Sequence, residues 1–226
     1  MTRRVAITRA PPEAGATAQR VRARGGVPVL ASLLHIEPRT FDANITGAQA
    51  LLFSSGNGAR AFAQASAARD IIVFAVGDAT ANAARQAGFA DVRSADGDVA
   101  ALAALAQTTL RPQAGKLVHI SGAHAAGDLA GALKAVGFET ERRVAYEARA
   151  ASALPDAFGE PLDIVLFHSA RAAETFIALG ARGAEKLSAA CLSPAVAATA
   201  ARVNWARLVV ALRPIEEALL EAALGG

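Results

Sequence analysis

Short runs of β-branched and aliphatic residues alternate along this chain with longer alanine-rich stretches whose apolar positions recur at helical spacing. The runs predict strands at Val5–Thr8, Val27–Ala31, Ala50–Ser54, Ile71–Val76, Asp91–Arg93, Lys116–Ser121, Phe138–Glu147, Asp163–His168, Ala189–Leu192 and Leu208–Ala211. The stretches predict helices at Glu13–Arg24, Asn57–Ala68, Ala79–Ala87, Val99–Thr109, Gly127–Val136, Ala170–Leu179, Pro194–Ala201 and Ile215–Ala223. Such alternation belongs to parallel sheets with helices on both faces. Punctuation agrees with it. Gly25-Gly26, Gly88 and Gly137 fall just past predicted helices, where a left-handed residue ends a helix. Asp98 stands where an N-cap is wanted, and Pro194 opens a helix where its missing N–H costs nothing.

The pattern also repeats. Val5-Ala6-Ile7-Thr8 and Gly25 return as Leu117-Val118-His119-Ile120 and Gly137, at an offset of 112. Leu51-Leu52-Phe53-Ser54-Ser55 and Phe62 return as Val165-Leu166-Phe167-His168-Ser169 and Phe176, at an offset of 114. Val76-Gly77-Asp78-Ala79-Thr80-Ala81 has a weaker echo in Leu192-Ser193-Pro194-Ala195-Val196-Ala197. The expectation is two similar α/β lobes with a cleft between them, a preferred place for small-molecule sites. Leu33–Thr40 and Arg142–Ala151 are extended, of mixed polarity and not followed by a helix. If both cross between lobes, one lobe is discontinuous (1–34 with 150–226), the other spans 40–143, and the crossovers are 35–39 and 144–149. A head-to-tail arrangement fits the periodicity equally well.

Composition narrows the class. A chain of 226 residues makes one large domain or two of about 110. Hydrophobic content of 53% with only 5% aromatics means cores built from Ala, Val, Leu and Ile. The charged fraction of 19% argues against disorder. Net charge is +3, and the arginines (Arg3, Arg9, Arg20, Arg60, Arg142 and others) are scattered without a Lys/Arg block. That disfavours nucleic acid and suits a small polyanion. The single Cys191 excludes an intrachain disulfide and a multi-cysteine metal site, fits a reducing cytoplasm, and reads as a small core hydrophobe. No apolar run approaches membrane-spanning length, and the N-terminus lacks the apolar region of a secretory signal.

Several strand ends enter helices through small or hydroxyl residues: Ser54-Ser55-Gly56-Asn57, Gly77-Asp78-Ala79-Thr80, Ser121-Gly122-Ala123 and Ser169-Ala170. Backbone N–H groups at a helix start attract anions, and open α/β sheets take ligands outside the carboxyl ends of their strands. The same residues also serve as ordinary N-caps. Tyr146, the sole tyrosine, lies in a suspected crossover. It is either a half-buried strand aromatic or a phenol able to protonate a leaving hydroxyl. His35, His119, His124 and His168 form no ligand pair of the H-E-x-x-H kind, which argues against a metal site. His168, at a strand end, either touches ligand or is structural. No G-x-G-x-x-G, phosphate-binding G-x-x-x-x-G-K-[ST] or G-x-S-x-G pattern occurs.

Taken in order, these residues resemble the uroporphyrinogen-III synthase family. Ile7-Thr8-Arg9-Ala10 with Gly25 and Pro28 resembles its opening. Phe53-Ser54-Ser55-Gly56-Asn57-Gly58-Ala59-Arg60 is similar to its F-T-S-x-N-A-V-R, Val76-Gly77-Asp78-Ala79-Thr80-Ala81 to its V-G-x-x-T-A, Val144-Ala145-Tyr146 to its V-Y strand, and Phe167-His168-Ser169 to its second F-x-S. The resemblance implies two flavodoxin-like lobes joined by a two-stranded connection. It implies cyclisation of linear hydroxymethylbilane to uroporphyrinogen III in haem biosynthesis, with loss of water, inversion of ring D, and no metal or organic cofactor. It makes Tyr146 the catalytic candidate and Arg9, Ser55, Asn57, Gly77, Thr80, Ser121, Gly122, Ser169 and Val196 substrate-binding candidates. One departure stands out. The second-lobe turn of the family usually carries a threonine where this chain has Val196, which offers only its backbone.

The resulting expectation is a cytoplasmic, monomeric cyclising lyase for a small tetrapyrrole, without nucleic-acid or membrane partners. It allows a transient contact with the preceding enzyme of the pathway, and no room remains for an added DNA-binding domain. The alternative is a non-catalytic two-lobed binding protein for a small anionic ligand; a nucleotide-dependent α/β enzyme is a third reading, disfavoured by the missing phosphate motifs.

Overall fold

A computed structural model describes residues 2–124 and 127–225. In chain order its first elements are β1 (Arg4–Ile7), α1 (Glu13–Ala23), β2 (Val27–Leu30), β3 (Leu34–Pro38), β4 (Ala48–Phe53) and α2 (Gly56–Ala65). There follow β5 (Ile72–Ala75), α3 (Asp78–Gln86), β6 (Val92–Ser94), α4 (Val99–Thr109), β7 (Lys116–Gly122), α5 (Leu129–Lys134) and β8 (Thr140–Ala150). The chain ends with β9 (Ile164–Phe167), α6 (Ala170–Ala178), β10 (Ser188–Cys191), α7 (Pro194–Ala200), β11 (Arg207–Val210) and α8 (Glu216–Leu224). They fall into two compact units, Met1–His35 with Arg149–Gly226, and Ile36–Ala148.

The first unit holds an all-parallel sheet in the order β11-β10-β9-β1-β2. Its central strands are apolar at almost every position because both faces are covered. Val5, Ile7, Ile164 and Leu166 pack under α1 and α8 against Val21, Leu219 and Leu220. Ala6, Val165 and Phe167 face the other way, toward Phe176 of α6 and Val196 of α7. Trp205 stacks on Phe176, with ring centroids 5.5 Å apart.

The second unit has the order β3-β8-β7-β4-β5-β6. Leu51, Phe53, Val118 and Ile120 pack toward Phe62 of α2 and Ala84 of α3, while Ala50, Leu52, Phe74 and Leu117 pack toward Leu102 of α4 and Leu133 of α5. α2 lies so close to β7 that a β-carbon on Gly58 would stand 2.6 Å from the Ile120 carbonyl oxygen, so only glycine fits there.

The repeat in the sequence is a repeat of topology. Pairing β1 with β7, β2 with β8, β9 with β4, β10 with β5 and β11 with β6 superimposes the two strand orders. Both are then the flavodoxin-like 2-1-3-4-5 arrangement. In the second unit the chain enters at the third strand.

One element extends the sequence reading and one departs from it. Leu34–Pro38 is a strand, β3, at the edge of the second sheet. Its hydrogen-bond partners run oppositely, Ala151 N–H to the Leu33 carbonyl and Arg39 N–H to the Ala145 carbonyl (both 2.9 Å), so this edge is antiparallel. The helix expected over Gly127–Val136 is shorter, Leu129–Lys134. The Asp128 carboxylate accepts from Gly131 N–H at its start, and the Phe138 N–H turns back to the Leu133 carbonyl at its end, where Gly137 has φ +89°.

Candidate active site

In each unit two central strands flank the point where the chain order reverses, the place where open α/β sheets take ligands. In the second unit these are β7, which runs into Ser121-Gly122-Ala123, and β4, which runs into Ser54-Ser55-Gly56-Asn57. Ser55 caps α2, its Oγ accepting from Asn57 N–H at 3.1 Å. The Asn57 Oδ1 accepts from Arg60 Nη2 at 2.6 Å. One strand further along, Gly77 starts α3 with no side-chain cap, and Thr80 sits in the first turn, 7% exposed.

Ser121 is fully buried, and its Oγ accepts from Arg142 Nε at 2.9 Å. The Arg142 Nη2 donates to the Gly122 and Ala123 carbonyls at 2.8 and 3.0 Å. Strand register sets this arrangement by opposing His119 to Arg142 and Gly122 to Tyr146. Tyr146 is half-buried at the margin of the cluster containing Phe53 and Ile120, and its carbonyl accepts from Ala123 N–H at 2.9 Å. His119 Nε2 lies 2.9 Å from Ser54 Oγ. Burial, and after it the Arg142 charge, push the His119 imidazole down to about 4, so the ring is neutral near pH 7.

The first unit carries its candidates on the corresponding strand ends. Arg9 follows β1 and donates to Glu216 Oε2 of α8 at 3.0 Å and to Thr17 Oγ1 at 3.4 Å, so its charge is already paired. Ser169 caps α6 through Ala172 N–H at 3.2 Å. The backbone N–H of Val196, the one group expected of it, already donates to Ser193 Oγ at 3.4 Å. His168 follows β9 with both ring nitrogens buried and unpartnered among the described residues. Burial, then the Arg9 charge, push it down to about 3.

The structure thus brings Ser55, Asn57, Gly77, Thr80, Ser121 and Gly122 to the carboxyl edge of the second sheet, with Tyr146 beside Gly122. Arg9, Ser169 and Val196 lie on that edge of the first sheet. Sequence reading passed over Arg142 and weighed His119 only as a metal ligand. Their adjacency depends on cross-strand register, and the one visible signal was the His119/Ser121 spacing of two on one strand. Among the described residues no group of three His, Cys, Asp or Glu side chains is placed to hold a metal, and no helix is long and apolar enough to cross a membrane.

Two flavodoxin-like units with hydroxyl- and glycine-built turns at their strand ends define a doubly wound α/β protein. Residues 15–221 match the family model of Uroporphyrinogen-III synthase HemD, and the chain belongs to that family. The crystal structure of the uroporphyrinogen-III synthetase from Helicobacter pylori 26695 is similar over 98% of this chain and 97% of its own, with TM-score 0.68 and 16% identity. A mutant uroporphyrinogen III synthase from the extremely thermophilic bacterium Thermus thermophilus is similar over 96% of both chains, with TM-score 0.53 and 19% identity. No curated protein sequence matches the chain with significance. The activity is the cyclisation of hydroxymethylbilane to uroporphyrinogen III, a step of haem biosynthesis.

Proposed function

We propose that residues of both units bind the linear tetrapyrrole and that Tyr146 protonates its departing hydroxyl. The C–O bond breaks, water leaves with the phenolic proton, and the pyrrole nitrogens stabilise the azafulvene cation. Ring D then attacks at its substituted carbon, the spiro intermediate fragments and recloses inverted, and the proton lost from the α-carbon at reclosure restores the Tyr146 phenol. A positioned proton donor contributes about 10²–10⁴-fold. The remainder is orientation, holding a flexible chain so that the substituted carbon is the nearer nucleophile.

The observation carrying this reading is the seat of Tyr146 on Gly122, at the carboxyl edge that also bears the Ser55 and Gly77 helix starts. α3 supports it further, because its first-turn N–H groups meet no capping side chain and suit a substrate carboxylate. Arg9, Ser169 and Val196 are the substrate-binding candidates of the first unit. The domain limits proposed for it are 1–34 with 150–226 and 40–143, joined by 35–39 and 144–149. The enzyme acts as a cytoplasmic monomer without nucleic acid, in transient contact with the enzyme that supplies its substrate.

The test supplies freshly made hydroxymethylbilane, oxidises the products and separates the isomers. The type III isomer above the uncatalysed background is expected; only type I at the spontaneous rate overturns the reading. Tyr146→Phe is expected to lower turnover at least tenfold with an unchanged melting temperature, and wild-type turnover would remove Tyr146 from the chemistry.

A further inference from the structure

A cavity of about 360 Å³ opens at the carboxyl end of β7, lined in part by His119, Ala123, His124, Asp128, Leu129 and Arg142. That volume is at the lower end of the ~300–1,000 Å³ usual for ligand sites. It suits one substituted pyrrole rather than four.

Two groups on its wall call for an anion. Arg142 is exposed, yet three neutral oxygens (Ser121 Oγ and the carbonyls of Gly122 and Ala123) hold its Nε and Nη2. Among the described residues it pairs with no carboxylate, so a fixed cation faces the cavity uncompensated. His119 is only 3% exposed, with Nε2 on Ser54 Oγ, and its Nδ1 is buried without a partner among the described residues. An orphaned buried ring nitrogen is costly unless a ligand meets it. When Ser54 donates to Nε2, Nδ1 carries the proton. Among the described residues Asp128 is the only acid on the wall, and its Oδ1 is engaged by Gly131 N–H at 2.8 Å. His124 adds a second imidazole, 3.8 Å from Glu147.

We propose that this cavity is a subsite for one acetate or propionate arm of the tetrapyrrole, with Arg142 as its cation and the neutral His119 imidazole on its wall. The proposal rests on the reading that the strand ends of the second unit bind the substrate. Both groups are positioning residues. They fix one pyrrole beside Tyr146 and take no part in bond making.

The test compares wild type with Arg142→Gln and Arg142→Lys, using hydroxymethylbilane for kinetics and uroporphyrin III as a stable equilibrium probe. Losing a charge-assisted hydrogen bond corresponds to about tenfold in affinity. Arg142→Gln is expected to raise KM and the uroporphyrin Kd about tenfold while kcat falls less than threefold, and Arg142→Lys is expected to fall between. In the wild-type protein the ¹⁵N signal of His119 Nδ1 is expected to shift on saturation with uroporphyrin, a readout that holds even if a variant misfolds. Unchanged KM and Kd in a folded Arg142→Gln, or an unmoved His119 signal, overturns the subsite. A wild-type protein that binds uroporphyrin through Arg142 but makes no type III isomer would leave the subsite standing and sink the catalytic reading instead.

Discussion

The Tyr146 ring lies against the α-carbon of Gly122. A β-carbon there would stand 2.8 Å from both Cε2 and Cζ of the ring and 3.1 Å from its hydroxyl oxygen. Gly122 is not among the glycines with positive φ, so its backbone accepts alanine, and the nearest conflict is with the ring. Gly122→Ala must therefore displace Tyr146. Activity is expected to drop tenfold or more, with a stability cost of about 1–3 kcal/mol for overpacking. If the loss acts through the phenol, Gly122→Ala in a Tyr146→Phe background adds little to it, because the two changes strike one interaction. Initial rates of the four proteins of the cycle give the answer, and full additivity would separate Gly122 from Tyr146.

His119 and His168 make folding sensitive to acid. Both are neutral in the folded protein, pushed from 6.5 down to about 4 and about 3 by burial first and a nearby arginine second. Below about pH 6.5 the unfolded chain binds protons at these rings that the folded protein refuses, so their contribution to stability falls as pH drops. The window runs from about 6.5 to about 4 for His119 and on to about 3 for His168. At pH 5, proton uptake on unfolding is expected to be smaller in His168→Gln by about one proton. Calorimetry in two buffers of different ionisation enthalpy measures it, and an unchanged uptake would mean that His168 is charged when folded.

The fold was legible because strands covered on both faces read as unbroken apolar runs, and because corresponding strands of the two units carry similar runs. Val5–Ile7 and Leu117–His119 match because β1 and β7 hold the same place in their sheets. β3 was harder to read. Leu34-His35-Ile36-Glu37-Pro38 pairs on one side only and is half-wet, so its polarity is mixed and its proline is tolerated at the edge. The capped turns were legible one by one, since Ser55, Asp98 and Ser169 act within three residues of themselves. What the side chains do across the sheet was not. Arg9 has a partner the sequence does not show: α8, some two hundred residues later, brings Glu216 to it. Arg142 and His119 become neighbours only through the β7–β8 register.

Arg143, next along β8, is buried at 6% exposure and ties that strand to the segment before β4. Its Nη1 donates to the Asp42 and Asn44 carbonyls at 2.7 and 2.6 Å, and its other nitrogens meet the Glu141 carboxylate at 2.8 and 2.9 Å. Arg143→Met removes four hydrogen bonds of a buried guanidinium and is expected to cost about 2–3 kcal/mol in urea unfolding. Glu141 is half-exposed, so Glu141→Gln costs less than about 1 kcal/mol at pH 7. Hydrogen bonds from Arg143 and Lys116 hold the Glu141 carboxyl down to about 2, from 4.5. Its stabilisation is therefore complete above about pH 4.5 and disappears as pH falls toward 2. The difference between wild type and Glu141→Gln should shrink over that interval, and a constant difference would contradict the pairing.

Cys191 closes β10 with no exposed surface, and burial pushes its thiol up to about 11. Thiolate is the reactive form, so both its scarcity and its burial protect the native side chain. Iodoacetamide at pH 8 is expected to leave the folded protein unmodified over hours. Labelling is expected to rise with urea along the same curve as the fluorescence of Trp205, which packs edge-on against Phe167 of the neighbouring β9, ring centroids 5.7 Å apart. Coincident curves mean that β10 is released only with the cluster around Trp205. Labelling ahead of the fluorescence change would mean that β10 opens locally, and rapid labelling without urea would contradict the burial of the thiol. Cys191→Ser keeps the shape of the strand and is expected to cost about 1–3 kcal/mol, because it buries a hydroxyl where a thiol packed as a small hydrophobe.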